Sequence, residues 1–270
     1  MLIDTHAHLD YPDYERDLPQ VIERALSAGV TRILTIGTNL QSCHRAIELA
    51  RAYPQVVFPV IGIHPHHADE WDGSTEKTLR QIIESHPVAA IGETGLDYHR
   101  LPSQKISDPS AAHDTDQAYK QRQQDVFRAQ LELAVAYGLN VVVHQRDAWE
   151  DTLRILHPYT GRLRGVFHCF GGTLEQAMDL LRLGHIVSFT GIVTFKNAQQ
   201  VQNTAAQVPL DSFMVETDCP YLAPTPFRGK RCEPAHTRVI AETVAMLRSV
   251  SLQSIAEQTT ATAEKFFRLG

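Results

Sequence analysis

His6-Ala7-His8 closes a short apolar run at the start of the chain, with Asp4 and Asp10 on either side. In an extended strand alternate side chains share a face, so the two imidazoles point the same way. Neutral imidazole is the commonest protein ligand for zinc-like ions, and such a pair makes half of a metal site. On its own the pair carries little: with 14 histidines in 270 residues, about one His-x-His is expected by chance, and His64-Pro65-His66 is a second. Its weight comes from where the other chemistry-bearing residues fall. Gly92-Glu93-Thr94-Gly95 directly follows an apolar run, His144 follows three valines, and His168 follows Val166-Phe167. Glu216-Thr217-Asp218 follows Phe213-Met214-Val215. Each has a plain explanation alone: a capping histidine, a carboxylate at a helix N-terminus for Glu93, a turn residue for Asp218. Those explanations would have to hold together at five strand ends, which is harder to accept than one metal centre.

The elements that position these residues alternate along the chain. Short, β-branched runs without clean alternation read as strands buried on both faces: the N-terminal run, then 31–36, 56–61, 88–91, 140–143, 165–167, 185–189 and 212–215. Between them lie helical patterns at 18–28, 42–53, 79–85, 125–137, 148–157, 174–183 and 198–207, and two more, 235–249 and 252–269, finish the chain. Eight strands alternating with helices over this length give a (β/α)8 TIM barrel with C-terminal helices, built as one domain from residues 1–270. An open doubly wound sheet is the alternative, but no Gly-x-Gly-x-x-Gly follows the first strand. In barrels active sites form at the C-terminal ends of the strands, where His6, His8, Glu93, His144, His168 and Asp218 all fall. The polar stretch 99–123, with Pro102 and Pro109, reads as a long loop on that face, helical at most from Asp114.

Four histidines and two carboxylates exceed the three or four ligands of a single catalytic ion, which points to two divalent ions. Glu93 is the natural bridge, lying in barrel order between His6, His8 and Asp218 on one side and His144 and His168 on the other. Two ions roughly 3.5–4 Å apart lower the pKa of a shared water and clamp attacking and leaving oxygens. Asp218 is the candidate proton acceptor, and Glu93 and Asp218 are the catalytic carboxylates. The donor set leaves Mg, Mn and Zn all open.

Composition narrows the class. Hydrophobic residues make up 43% and charged residues 21%, and the net charge is −6. There is thus no general basic field for gripping long duplex DNA. A chain this long buries about three quarters of its unfolded surface and needs no disulfide to fold. Cys43, Cys169, Cys219 and Cys232 show no paired spacing and read as reduced thiols of a cytoplasmic protein. No signal peptide and no membrane-spanning run is expected, and no stripe marks a subunit interface.

At these residues the chain resembles the TatD family of metal-dependent hydrolases, in the amidohydrolase superfamily of barrels. The resemblance rests on Asp4-Thr5-His6-Ala7-His8-Leu9-Asp10, Gly62-Ile63-His64-Pro65, Gly92 through Tyr98, His144-Gln145-Arg146-Asp147-Ala148, and His168-Cys169-Phe170-Gly171-Gly172. It continues through Glu216-Thr217-Asp218, Pro220-Tyr221-Leu222, Arg228-Gly229-Lys230 and Glu233-Pro234. It implies a two-metal site on the ligands named above, and a Mg- or Mn-dependent DNase that removes nucleotides from the 3′ ends of single-stranded DNA. Arg146, Arg228 and Lys230 are then candidate phosphate contacts, His64 a substrate contact, and Tyr98 and Phe227 candidate base-stacking rings. Three positions depart from the family pattern: Cys232 where Asn is common, Gly171 where Ser is common, and Gln145 where Ser or Thr is usual. The insertion at 99–123 is a fourth departure. They leave the ligands intact but bear on substrate. The alternative function is a two-metal esterase or amidase, such as a D-aminoacyl-tRNA deacylase or a small-molecule hydrolase. A non-catalytic metal-binding module is disfavoured because no ligand is missing.

Overall fold

The computed structural model describes residues 1–105 and 109–269. Eight strands alternate with helices in chain order: β1 (Leu2–Ala7), α1 (Leu18–Ser27), β2 (Val30–Ile36), α2 (Leu40–Ala52), β3 (Val57–Ile61), α3 (Gly73–Ser85), β4 (Ala90–Asp97) and α4 (Pro109–Tyr137). Then come β5 (Val141–Arg146), α5 (Trp149–Leu156), β6 (Gly165–Phe167), α6 (Leu174–Arg182), β7 (Ile186–Phe189), α7 (Gln199–Gln207) and β8 (Phe213–Val215), followed by α8 (Thr237–Arg248) and α9 (Leu252–Phe267). The strands pair in parallel in sequence order. Beyond β8 the chain returns to β1, where Asp218 N donates to His6 O at 2.8 Å and His8 N donates to Cys219 O at 2.8 Å. The sheet is therefore a nearly closed (β/α)8 TIM barrel, as the alternating pattern predicts.

The two ends of the barrel are filled differently. Ile3, Val60, Val142, Val166 and Met214 pack inside it together with Phe266 and Phe267 of α9. Asn140 Nδ2 donates to Phe266 O at 2.7 Å and Thr260 Oγ1 to Met1 O at 3.2 Å, which seats α9 across the N-terminal ends of the strands. With that mouth plugged by apolar side chains, polar groups collect at the other. No single helix among the described residues is long and apolar enough to cross a membrane.

Four boundaries differ clearly from the sequence expectation. α3 begins at Gly73 rather than at 79, because Asp72 Oδ1 accepts from Ser74 N at 2.8 Å and Thr75 N at 2.9 Å. A capped polar first turn carries no apolar periodicity to announce it. β4 continues through Gly92-Glu93-Thr94 to Asp97, and β5 through His144 to Arg146, so Glu93 and His144 stand within strands rather than after them. Most of the stretch expected as a loop at 99–123 is the first half of α4, preceded by a short turn at Pro102–Lys105; residues 106–108 lie outside the described residues. From 111 to 122 this helix is largely solvated, so it shows no buried face in the sequence, although Ala, Gln, Lys and Arg favour it.

α4 holds the site from behind. Gln123 and Gln130, two turns apart on one face, each complete the main chain of a neighbouring segment. Gln123 Oε1 accepts from Asp97 N at 2.9 Å and its Nε2 donates to Asp97 O at 3.1 Å. Gln130 does the same for Ile63, at 2.8 and 2.9 Å, and also donates to Thr94 Oγ1 at 2.7 Å.

Candidate metal centre

β1 delivers His6 and His8, whose rings meet edge to face with centroids 5.1 Å apart. Glu93 on β4 faces them: its Oε2 is 3.5 Å from His6 Nε2 and 3.9 Å from His8 Nε2. Asp218, beyond β8, presents Oδ1 at 3.7 Å from His6 Nε2 and 3.5 Å from His8 Nε2. The other oxygen of Glu93 meets a second set. Oε1 lies 2.7 Å from His144 Nδ1, 2.6 Å from His168 Nε2 and 3.7 Å from His64 Nε2. All six residues expected as ligands thus converge, with Glu93 shared between the two groups. His64, expected to touch substrate, sits within the second. Clusters His6–His8–Glu93 and His64–Glu93–His144 each bring their ligand atoms close enough to hold an ion.

The chain fixes this arrangement from underneath. Asp4 joins β1 to the segment after β8 by accepting from Thr217 Oγ1 at 2.6 Å and Thr217 N at 2.9 Å. Its burial outweighs those bonds and pushes the carboxyl up to about 7. Glu216 accepts from Cys169 N at 2.7 Å and Thr5 Oγ1 at 3.2 Å, with His168 Nδ1 at 3.7 Å.

The residues fit a cationic occupant. His6 is fully buried, and both of its ring nitrogens lack a hydrogen-bond partner among the described residues, as does Nδ1 of His168. Burial, with His168 nearby, lowers the pKa of His6, which keeps its lone pair free. Burial opposes charge on Glu93, yet His168, His64 and the bond from His144 outweigh it and hold its carboxyl well below the ordinary range. An unpartnered imidazole nitrogen, Nε2 of His6, facing the ionised carboxylates of Glu93 and Asp218 is what a divalent ion requires of its ligands.

The group opens into a cavity of about 1240 Å³, larger than the ~300–1,000 Å³ typical of single small-ligand sites. Its walls include Arg146, Tyr98, Tyr11 and Tyr221. Arg228 and Lys230, expected on the phosphate, do not line it, and Arg228 lays its guanidinium 3.7 Å from the centre of the Phe195 ring. Of the two rings expected to stack on bases, Phe227 packs on His236 with centroids 4.4 Å apart. Tyr98 hydrogen-bonds Asp151 at 2.9 Å, with the Lys120 ammonium 5.0 Å from its centre.

A family model described as TatD related DNase matches residues 3–268. The chain belongs to the TatD-related DNase family. This TatD-family chain is 37% identical over 270 residues, the whole of both chains, to the metal-dependent hydrolase YabD of Bacillus subtilis. It is 36% identical to the 3′-5′ ssDNA/RNA exonuclease TatD of Erwinia tasmaniensis, over 99% of this chain and all of that one. A crystal structure of YJJV, a TatD homologue from Escherichia coli, superposes with a TM-score of 0.87 at 29% identity, covering 99% of this chain and 98% of the other. The chain is thus a hydrolase of a metal-dependent family.

Sequence reasoning missed Asp97, His66 and the Tyr11–Tyr221 pair. Asp97 Oδ2 lies 3.1 Å from His144 Nε2 and 3.2 Å from His66 Nε2. The signal was present: strand alternation puts 93, 95 and 97 on one face once β4 is taken through to Asp97. Tyr11 and Tyr221 pack edge to face at 5.5 Å beside His8, with their hydroxyls hydrogen-bonded. They carry no pattern in the sequence because they come together from opposite ends of the chain.

Proposed function

We propose that this protein is a two-metal phosphodiesterase that removes nucleotides from the 3′ ends of single-stranded DNA. The observation that carries it is the single Glu93 carboxylate shared between His6 and His8, which Asp218 also faces, on one oxygen and His144 and His168 near the other. His6, His8, Glu93 and Asp218 would hold one divalent ion; Glu93, His144 and His168 would hold the second. The bound ions supply Lewis acidity, which lowers the pKa of a water and steadies charge on the phosphodiester oxygens. Mg, Mn and Zn all suit the donors.

The chain's own groups do the rest. Burial opposes charge on Asp218, but the bond to His8 together with His6 and His168 outweighs it, and the carboxylate stands where it can take a proton from the attacking water. His64, kept neutral by burial, faces the same space and can donate one hydrogen bond to a non-bridging oxygen. Arg146, exposed at the rim, offers a bidentate fork to the next phosphate. Tyr221, 46% exposed, and Tyr11 give the terminal base an aromatic wall. An open cavity of this size suits the end of a polymer better than a small ester. The four cysteines are all free thiols, in keeping with a cytoplasmic setting.

The test is metal-stripped protein titrated with Mg, Mn or Zn on single strands labelled at either end. Stepwise shortening from the 3′ end supports the proposal. No cleavage with two ions bound, together with release of an aminoacyl group from charged tRNA or turnover of a model ester, would transfer the site to ester chemistry.

A further inference from the structure

We infer that Asp97 is the positioning residue of the second ion site, setting the tautomer and orientation of His144; this rests on the two-ion reading above. Asp97 is buried, 1% exposed, and its own backbone is held on both sides by the Gln123 side chain, at 2.9 and 3.1 Å. Its Oδ1 accepts from His99 N at 2.9 Å. Every freedom of the carboxylate is thereby taken up except the direction of Oδ2, which points at His144 Nε2, 3.1 Å away.

An ionised carboxylate only accepts, so this contact requires the proton of His144 to sit on Nε2. Nδ1, at the other side of the ring, is then the nitrogen that would exchange its proton for an ion. Nδ1 is the atom that meets Glu93 Oε1 at 2.7 Å and His168 Nε2 at 3.1 Å. A histidine ligand that hands its second nitrogen to a carboxylate is fixed in rotation and made more basic toward an ion. Gly95 makes the contact possible: it is the register partner of His144, and a Cβ there would lie 2.0 Å from His144 O. The strand therefore carries Glu93 and Asp97 to opposite nitrogens of one imidazole, with no side chain between them.

His66 Nε2 shares the same oxygen at 3.2 Å from the cavity side, so Asp97 also ties the turn that carries His64 and His66 to β5. Nothing equivalent reaches His6, whose Nδ1 has no partner among the described residues. At the first site the outer support is the Ile36 carbonyl, 3.3 Å from His8 Nδ1, so loss of Asp97 acts on the second site alone.

The experiment is calorimetric titration of metal-stripped wild type, D97N and D97A with Mn, with thermal melting to establish that each variant is folded. D97A should weaken the second ion by about 10- to 100-fold and leave the first unchanged. D97N, which keeps one acceptor, should lose less. Nitrogen-15 spectra of the zinc-loaded protein should show His144 protonated on Nε2 in wild type and a mixture of tautomers in D97A. Two ions bound by D97A as tightly as by wild type would overturn the inference alone, and equal weakening of both sites would reduce Asp97 to a general structural role and overturn it as well. A wild-type protein that binds a single ion would overturn the two-ion reading and this inference with it.

Discussion

Oε1 of Glu93 lies 2.6 Å from Nε2 of His168, across β5 from the strand that carries Glu93. A buried carboxylate survives such an environment only when positive charge compensates it, which protonated imidazoles or bound ions can supply. Glu93→Gln keeps the shape and removes the charge. The variant should melt like wild type when metal-free, bind Mn or Zn at least about 100-fold more weakly, and lose cleavage in proportion. Metal analysis after dialysis and the end-labelled strand assay check this. A folded E93Q that retains two ions would remove Glu93 from the bridge.

Asp218 carries a different role on the same evidence of position. It sits at φ 59°, a left-handed conformation that Asn also adopts, so Asp218→Asn costs little in folding. The loss of a proton acceptor should lower kcat by about 10²- to 10⁴-fold with KM nearly unchanged. A large rise in KM with kcat preserved would instead make Asp218 a ligand only.

Much of this was legible from local pattern, and the failures have a common cause. The barrel was readable because its strands are buried on both faces and so are almost uninterrupted apolar runs, Val141-Val142-Val143 above all. The converging polar residues were readable because they stand at the ends of such runs. What escaped was polar and regular. The first half of α4 is helix with a solvated surface, and β4 continues past Gly92 and Glu93 because its register with β5, broken after Ile91, resumes from Thr94 to Asp97. Asp97 vanished with that misplaced boundary. Arg228 was placed by a different contact: its guanidinium rests on Phe195, whose position no local pattern gives.

The tyrosine pair separates nucleic acid from small esters. Base–aromatic stacking is worth about 1–3 kcal/mol, so Tyr221→Ala should raise KM for single-stranded oligonucleotides by about 5- to 150-fold. Tyr221→Phe keeps the ring and loses only the hydroxyl bond to Tyr11, and should stay close to wild type. A small phosphodiester without a base is the control, since its KM should not respond. Equal effects on both substrates would make the pair a packing element.

The last prediction concerns stability and lies at the opposite end of the barrel. His185, 1% exposed, accepts from Gly165 N through Nδ1 at 2.9 Å, and its Nε2 has no partner among the described residues. Burial, reinforced by the charge of Arg164, lowers its pKa from the ordinary 6.5 to about 4. The unfolded chain therefore takes up a proton as pH falls through 6.5, while the folded protein resists until about 4. The neutral ring's contribution is complete above 6.5, drains away between 6.5 and 4, and changes no further below. The whole loss is about 3 kcal/mol at most. His185→Asn retains an acceptor for Gly165 N and has nothing to protonate. Its stability at neutral pH should be lower, because the ring leaves a void, but its decline toward acid should be shallower. Denaturant unfolding of both proteins from about pH 7.5 to about pH 4.5 measures the difference. The gap should narrow as pH falls. A constant gap would mean that the acid sensitivity of this barrel lies in other groups.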